Sequence, residues 1–348
     1  MQFRNYRTSI LLGILSILLL SAFWFMPSLA FIVFLSLLLH LLLKPLVDFL
    51  GRRMPRALAS GIVLFLFLLL ATELLVLVSN SFLPTFTAFL RDAPNLTEKV
   101  AHFPLIENSA ILTNELDNLW GDLVNAGVSA LKSSLGLLLT LFNKIIDFVV
   151  IVFVTFYLLK DGESIKNYLA TRFPSNSQHR VLHLLDRILG ALRVYICSQL
   201  VICCITGAIV FTYYTARDIP YASVFAVVSS VAEFIPVLGP TVASAFGILL
   251  TMTYSPMVAL QTVGFYLILT QVNHNAIYPS LIGKSLDLHP IAIILGIILG
   301  GELLDAAGMF LAVPMMTVCK IVIEDIYEDR EQMKQNLAMS RWFSAKSE

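Results

Sequence analysis

Two apolar stretches of the chain carry acids next to residues that break helices. In the first, residues 229–247 (SSVAEFIPVLGPTVASAFG), Glu233 precedes Pro236, Gly239 and Pro240 inside the apolar run 221–254. In the second, Gly300, Gly301 and Glu302 are followed by Asp305, Gly308 and Pro314 inside the run 291–323. A proline within a helix removes a backbone donor and clashes one turn back. Backbone broken at membrane depth survives only where protein or a watery cavity satisfies it. A carboxyl at that depth is costly and marks a functional site by default. Paired interruptions of this kind are the best sequence pointer to a transporter's binding site. The chemistry expected is reversible binding of a proton or sodium ion by Glu233, with Glu302 or Asp305, both breaks facing one polar chamber.

The elements that must position these groups are membrane helices. Of 348 residues, 58% are hydrophobic and 13% charged, where soluble domains carry about 25% charge. The fold class expected is all-α, a polytopic membrane protein. Net charge is zero, and there is no basic patch of the kind nucleic-acid binding needs. The Gly283-Lys284-Ser285 run lacks the glycine a phosphate loop requires five residues earlier, where Tyr278 stands; nucleotide binding is rejected. Cys197, Cys203, Cys204 and Cys319 lie in apolar helical stretches without metal-ligand spacing to histidine, and read as packing residues. No metal or cofactor is expected.

In chain order, residues 9–26 and 29–43 flank Pro27 and read as a tight helical hairpin, the first arm an uncleaved membrane helix rather than a signal peptide. Lys44, Arg52, Arg53 and Arg56 follow against one Asp48, which places this loop and the N-terminus in the cytoplasm. Residues 57–79 are a third span, so 1–79 form an N-terminal group of membrane helices. Residues 80–134 form an extramembrane helical insert, mostly acidic in charge. Residues 135–323 form the membrane transport core. Within it, 135–159 is a span, 160–193 reads as a cytoplasmic amphipathic segment lying at the membrane, and 194–214 is the next span. Gln199 sits deep in that span, where a polar side chain usually bonds a neighbouring helix. The run 221–254 is too long for one straight span and too short for two, so it is a kinked helix or a hairpin of half-helices. Gly239, Ala243 and Gly247 recur every four residues and allow another helix to approach closely; so do Gly296 and Gly300. After the span 257–271 comes a polar cluster with Asn275, Pro279 and Gly283. The substrate path expected is Gln199, Pro236, Gly239, Pro240, Asn275, Pro279 and Gly283; the second break comprises Gly300, Gly301, Gly308 and Pro314. Residues 324–348 read as a cytoplasmic tail.

Four ordered motifs resemble those of the autoinducer-2 exporter family of bacterial permeases. They are Phe156-Tyr-Leu-Leu-Lys-Asp-Gly162, Glu233-Phe-Ile-Pro-Val-Leu-Gly-Pro240, the run from Asn275 through Pro279 and Gly283-Lys-Ser-Leu to His289-Pro290, and Gly300-Gly-Glu302 with Gly308-Met and Ala312-Val-Pro314. The resemblance covers nearly the whole chain. It implies a bacterial inner-membrane transporter of about eight membrane segments, assembled as a homo-oligomer; the residues themselves make two of those segments broken or re-entrant. Members are credited with exporting a signalling molecule or with sodium(lithium)/proton antiport. Two positions depart from the family pattern: Ser198 stands before Gln199, and Asp305 stands after Gly-Gly-Glu-Leu-x, where the family usually has glycine.

The function expected is a secondary transporter, exporting a small polar solute or exchanging monovalent cations, in contact with membrane lipid. Competing readings exist for the parts. Glu233 at the N-terminus of a half-helix would be favoured by the helix dipole and need no other role. An intramembrane enzyme would need a nucleophile–base pair or metal ligands; neither HExxH nor GxSxG occurs, and His274 and His289 stand isolated. A structural or regulatory protein would act through the 80–134 insert.

Overall fold

A computed structural model gives the fold. The structure describes residues 25–73, 145–236, 238–252, 255–282 and 288–345, with isolated helical positions at 21, 76, 80 and 84. Most of the first arm of the N-terminal hairpin, most of the 80–134 insert, and Gly283 lie outside the described residues. Every element described is helical. They are α1 (Pro27–Leu50), α2 (Arg56–Glu73), α3 (Ile145–Thr171), a 3-10 turn (Ser175–Ser177), α4 (Gln178–Ala216), α5 (Ala222–Ala232), α6 (Leu238–Met252), α7 (Pro256–Val272), a π-helical turn (Asn273–Ile277), α8 (Tyr278–Ile282) and α9 (Pro290–Ala345). The stretches Pro27–Leu50, Arg56–Glu73, Gln178–Ala216 and Pro290–Glu328 are long and apolar enough to cross a bilayer. The chain divides into two compact units: residues 1–61, 151–196 and 284–348 form one, and 62–150 and 197–283 the other.

In the first unit, small residues bring α1 and α3 together. Ser36 donates to the Ile151 carbonyl at 3.3 Å, and Thr155 donates to the Ser36 carbonyl at 3.4 Å. Gly162 lies against the His40 ring, where any Cβ would stand 3.2 Å from it. α1 continues through Pro45 to Leu50, past the end at residue 43 expected from its apolar run. Beyond the apolar part, Glu163 takes Lys44 at 2.6 Å and Lys166 at 2.9 Å, and Lys166 reaches Asp186 on α4 at 2.8 Å.

α4 corrects one expectation. The amphipathic run 178–193 is not a separate helix feeding a span; it is the first part of one continuous 39-residue helix. At 1.5 Å per residue that rod is about 58 Å long, well beyond a hydrocarbon core of about 30 Å. Its apolar face is covered by protein: Leu184 packs with Ile321 and Phe173. Arg180 pairs with buried Asp325 at 2.6 Å, and Arg187 with Glu324 at 3.3 Å. The tail beyond Glu324 thus continues α9 and is tied to α4.

α9 is not one rod. Leu304 (φ −145°, ψ 21°) and Asp305 (φ 52°, ψ −137°) leave helical geometry, and the chain turns back there. A Cβ on Gly300 would run into the Gly308 carbonyl, one on Gly296 would meet Met316, and one on Gly301 would meet Met309. In a straight helix residues eight apart are about 12 Å apart along the axis; contact across that separation means antiparallel arms. The turn is made by Leu304 and Asp305. Gly300, Gly301 and Gly308 flank it by letting the two backbones touch, and buried Pro314 stands inside an unbroken helical run, so it does not break the helix. The family's usual glycine at 305 is explained by this geometry, since only glycine adopts that backbone without strain.

In the second unit, α5 and α6 also form an antiparallel hairpin. Gly239 on α6 sits so close to the Ala232 carbonyl on α5 that no Cβ fits. Farther from the turn, the rings of Phe225 and Phe246 meet at 5.7 Å. Pro236 lies in the turn, and Pro240 in the first turn of α6, where its missing N–H has no helical partner to lose. Gly247 lies under Tyr214 of α4 and Tyr266 of α7, which fulfils the small-residue face expected of α6.

Two predictions follow from these contacts. Asp305→Gly relieves the turn and stabilises the protein by about 1 kcal/mol, read as a raised Tm in detergent; Asp305→Val lowers it. Hydrogen bonds from Lys44 and Lys166 hold the Glu163 carboxyl at about 2, below its ordinary 4.5. A depressed carboxyl stabilises above its unfolded value and loses that contribution as pH falls toward the folded one. The Tm gap between wild type and Glu163→Gln is therefore largest near neutral pH and closes between about 4.5 and 2.

Candidate functional site

The second unit gathers polar groups around the end of α5. Glu233 follows the last residue of α5 at its C-terminal end and is 2% exposed. The dipole there favours positive charge, so capping of a helix N-terminus is not its role. Its side chain is held by groups from elsewhere: Tyr278 donates to Oε1 at 3.2 Å and Asn273 Nδ2 donates to the same oxygen at 3.3 Å. Its backbone carbonyl, freed by the helix end, accepts from Gln199 Nε2 at 2.6 Å. Asn273 also donates to Thr206 of α4 at 3.2 Å.

Sequence spacing fixes these positions. Gln199, Cys203 and Thr206 lie on one buried face of α4. Ser230 of α5 donates to the Cys203 carbonyl at 2.9 Å, and Gly207 lets α5 come that near. The wider π turn at 273–277 shifts the helical register, so Asn273 faces inward while His274 and Asn275 face out. His274 stacks on the ring of Tyr278 at 5.5 Å. Ser198 donates to the Leu281 carbonyl at 2.9 Å and so joins α4 to α8.

Two acceptors in this cluster, Gln199 Oε1 (residue 0% exposed) and Asn273 Oδ1 (residue 4% exposed), have no hydrogen-bond partner among the described residues. A buried polar atom without a partner costs about 1–3 kcal/mol. Together with the carboxyl they make an acceptor-rich buried cluster, suited to a proton, a cation or a group that donates hydrogen bonds.

The expected site residues divide accordingly. Gln199 touches Glu233; Pro236, Gly239 and Pro240 build its hairpin. Asn275 does not reach it. That residue pairs with Gln271 at 2.9 Å beside an apolar groove of about 420 Å³ lined by Leu267 and Ile268, and Pro279 is exposed. Glu302 and Asp305 are exposed at the turn of α9 in the other unit. Sequence reasoning missed Asn273, Tyr278 and Thr206. The signal was present for Thr206, seven residues after Gln199 on the same face.

Two helical hairpins, one with a buried carboxyl at its tip, among helices long and apolar enough to span a bilayer define a multi-pass membrane protein. The description "AI-2E family transporter" fits residues 12–328, and the chain belongs to that family. It is similar to YueF of Bacillus subtilis (strain 168), 28% identical over 85% of this chain and 84% of the relative. It is also similar to the AI-2 transport protein TqsA of Escherichia coli (strain K12), 27% identical over 90% of this chain and 91% of the relative.

Asn273→Ala strips a donor from Glu233 and from Thr206 and destabilises the protein by about 1–3 kcal/mol. Asn275→Ala changes stability by no more than about 0.5 kcal/mol. Thermal unfolding of the two variants in detergent checks the contrast.

Proposed function

We propose that this protein is a secondary transporter in which Glu233 binds and releases a proton or a monovalent cation as a small polar solute crosses the bilayer. The observation that carries the reading is a carboxyl buried at the broken tip of a hairpin, contacted by neutral donors. An uncompensated carboxylate in a low-dielectric setting is costly, so it is expected to take up a proton or cation when closed off and release it when water reaches it. Glu302 and Asp305, at the turn of the second hairpin, are the further coupling acids. Gln199 and Asn273 offer open acceptors to a solute bearing donors. The molecule moved by TqsA, AI-2 by that protein's name, is one candidate.

The positive charges at Lys44, Arg52, Arg53 and Arg56 support a cytoplasmic N-terminus. Family likeness supports the bacterial inner membrane, a homo-oligomer and a cytoplasmic C-terminus.

The test is flux in proteoliposomes under imposed sodium, lithium and proton gradients, with AI-2 and other small polar metabolites as cargo. Glu233→Gln is expected to reduce ion-linked flux by about a hundredfold or more, the range attributed to positioned proton-transfer groups, and Glu302→Gln to reduce it less. Unchanged coupled flux in both variants would remove the acids from the mechanism.

A further inference from the structure

Above Glu233, between it and the turn that joins α4 to α5, the second unit buries more hydroxyl groups than its apolar packing requires. Thr206, Tyr213 and Tyr214 come from α4, Ser229 from α5, and Thr262 and Tyr266 from α7. They lie within or beside an apolar cluster of Val210, Phe225, Leu250 and Leu269, where an ordinary core would place phenylalanine and alanine. The tyrosine rings are fixed by stacking, Tyr214 on Phe225 at 4.0 Å and Tyr213 on Phe265 at 3.8 Å.

Their hydroxyls are in register. Tyr213 and Thr262 share a hydrogen bond at 3.1 Å. One turn along α7, Tyr266 shares one with Ser229 at 3.4 Å, and the Tyr214 hydroxyl converges with that of Tyr266 over Gly247. One turn along α5 from Ser229 stands Glu233. Residues four apart on one helix face are separated by about 6 Å, a gap that a single bridging water closes. The outer end reaches solvent at half-buried Tyr213, beside exposed Arg217, whose guanidinium lies 5.7 Å from the Tyr213 ring and binds Gln261. The titratable groups facing the column are Tyr213, Tyr214 and Cys203 from α4, Tyr266 from α7 and Tyr278 from α8.

We propose that this column, Tyr213–Thr262 to Tyr266–Ser229 to Glu233, is the route by which protons reach and leave the carboxyl from the α4–α5 side. It rests on the reading of Glu233 as the ion carrier and specifies a proton as the ion using this path. Two one-turn gaps, Thr262 to Tyr266 and Ser229 to Glu233, are each closed by a bridging water; to relay, the Thr262 hydroxyl turns from the Val258 carbonyl it bonds at rest, each oxygen on the path accepts a proton from its outer neighbour as its own passes inward, and the carboxylate ends as a carboxylic acid. The reverse sequence releases the proton. Tyr266 and Ser229 act through Glu233 and are positioning residues of the relay.

The experiment is infrared difference spectroscopy of the full chain in proteoliposomes, following the carbonyl band of a protonated carboxyl after a pH jump and during exchange into heavy water. Glu233→Gln identifies the band by removing it. Tyr266→Phe keeps the ring and loses only the hydroxyl; Ser229→Ala is a second, smaller change on the other helix. Both are expected to keep the band while slowing its appearance and its deuterium shift about a hundredfold, the lower end of what a positioned proton-transfer group contributes. A hydroxyl that merely joins helices would shift Tm and leave those rates alone. Wild-type rates in both variants would overturn the relay and leave Glu233 as carrier intact. A spectrum unchanged by Glu233→Gln would overturn the carrier reading, and the relay with it.

Discussion

A backbone that leaves helical geometry inside a bilayer must find its hydrogen-bond partners within the protein. This constraint organises the second unit. α5 ends at Ala232, and the carbonyl of Glu233 is taken by the side-chain amide of Gln199. The same turn brings an acid to a helix end whose dipole opposes it, so its oxygen is held by Asn273 and Tyr278 instead. One break in one helix therefore requires polar residues on α4, the π turn and α8. The π turn itself serves this arrangement, since a regular helix would not carry Asn273 and Tyr278 inward together.

The second hairpin solves the same problem by proximity. Its arms touch through Gly296, Gly300 and Gly308, and its turn is forced through a residue with positive φ. At φ 52° and ψ −137° aspartate lies outside the left-handed region that its side chain tolerates, so it holds this backbone at a cost. An acid at this position is thus both a conformational compromise and a charge at the turn of a membrane hairpin. In the first unit, extended helical ends carry the ion pairs. Lys44, Glu163, Lys166 and Asp186 link α1, α3 and α4, while Arg180 and Asp325 link α4 to α9. These charges stand beyond the apolar lengths, where water and protein share their solvation.

Much of the fold was legible. Hydropathy marked the membrane helices, and prolines and glycines marked where two of them are interrupted. The four-residue repeat of Gly239, Ala243 and Gly247 announced the close packing of α6. The site was legible in part: Glu233 and Gln199 stand out as polar residues in apolar runs. Asn273 and Asn275 sit two apart in one polar cluster, and a regular helical register does not tell which faces inward.

The sequence by itself determined class and local breaks, because burial in lipid demands apolar length and because proline and glycine act on their own backbone. Tertiary structure decided that both overlong segments fold back as hairpins, that Glu233 ends a helix rather than begins one, and that Asn273 and Tyr278 are its partners. Those outcomes depend on how distant helices meet, and on a π turn whose one-residue shift no short-range pattern encodes.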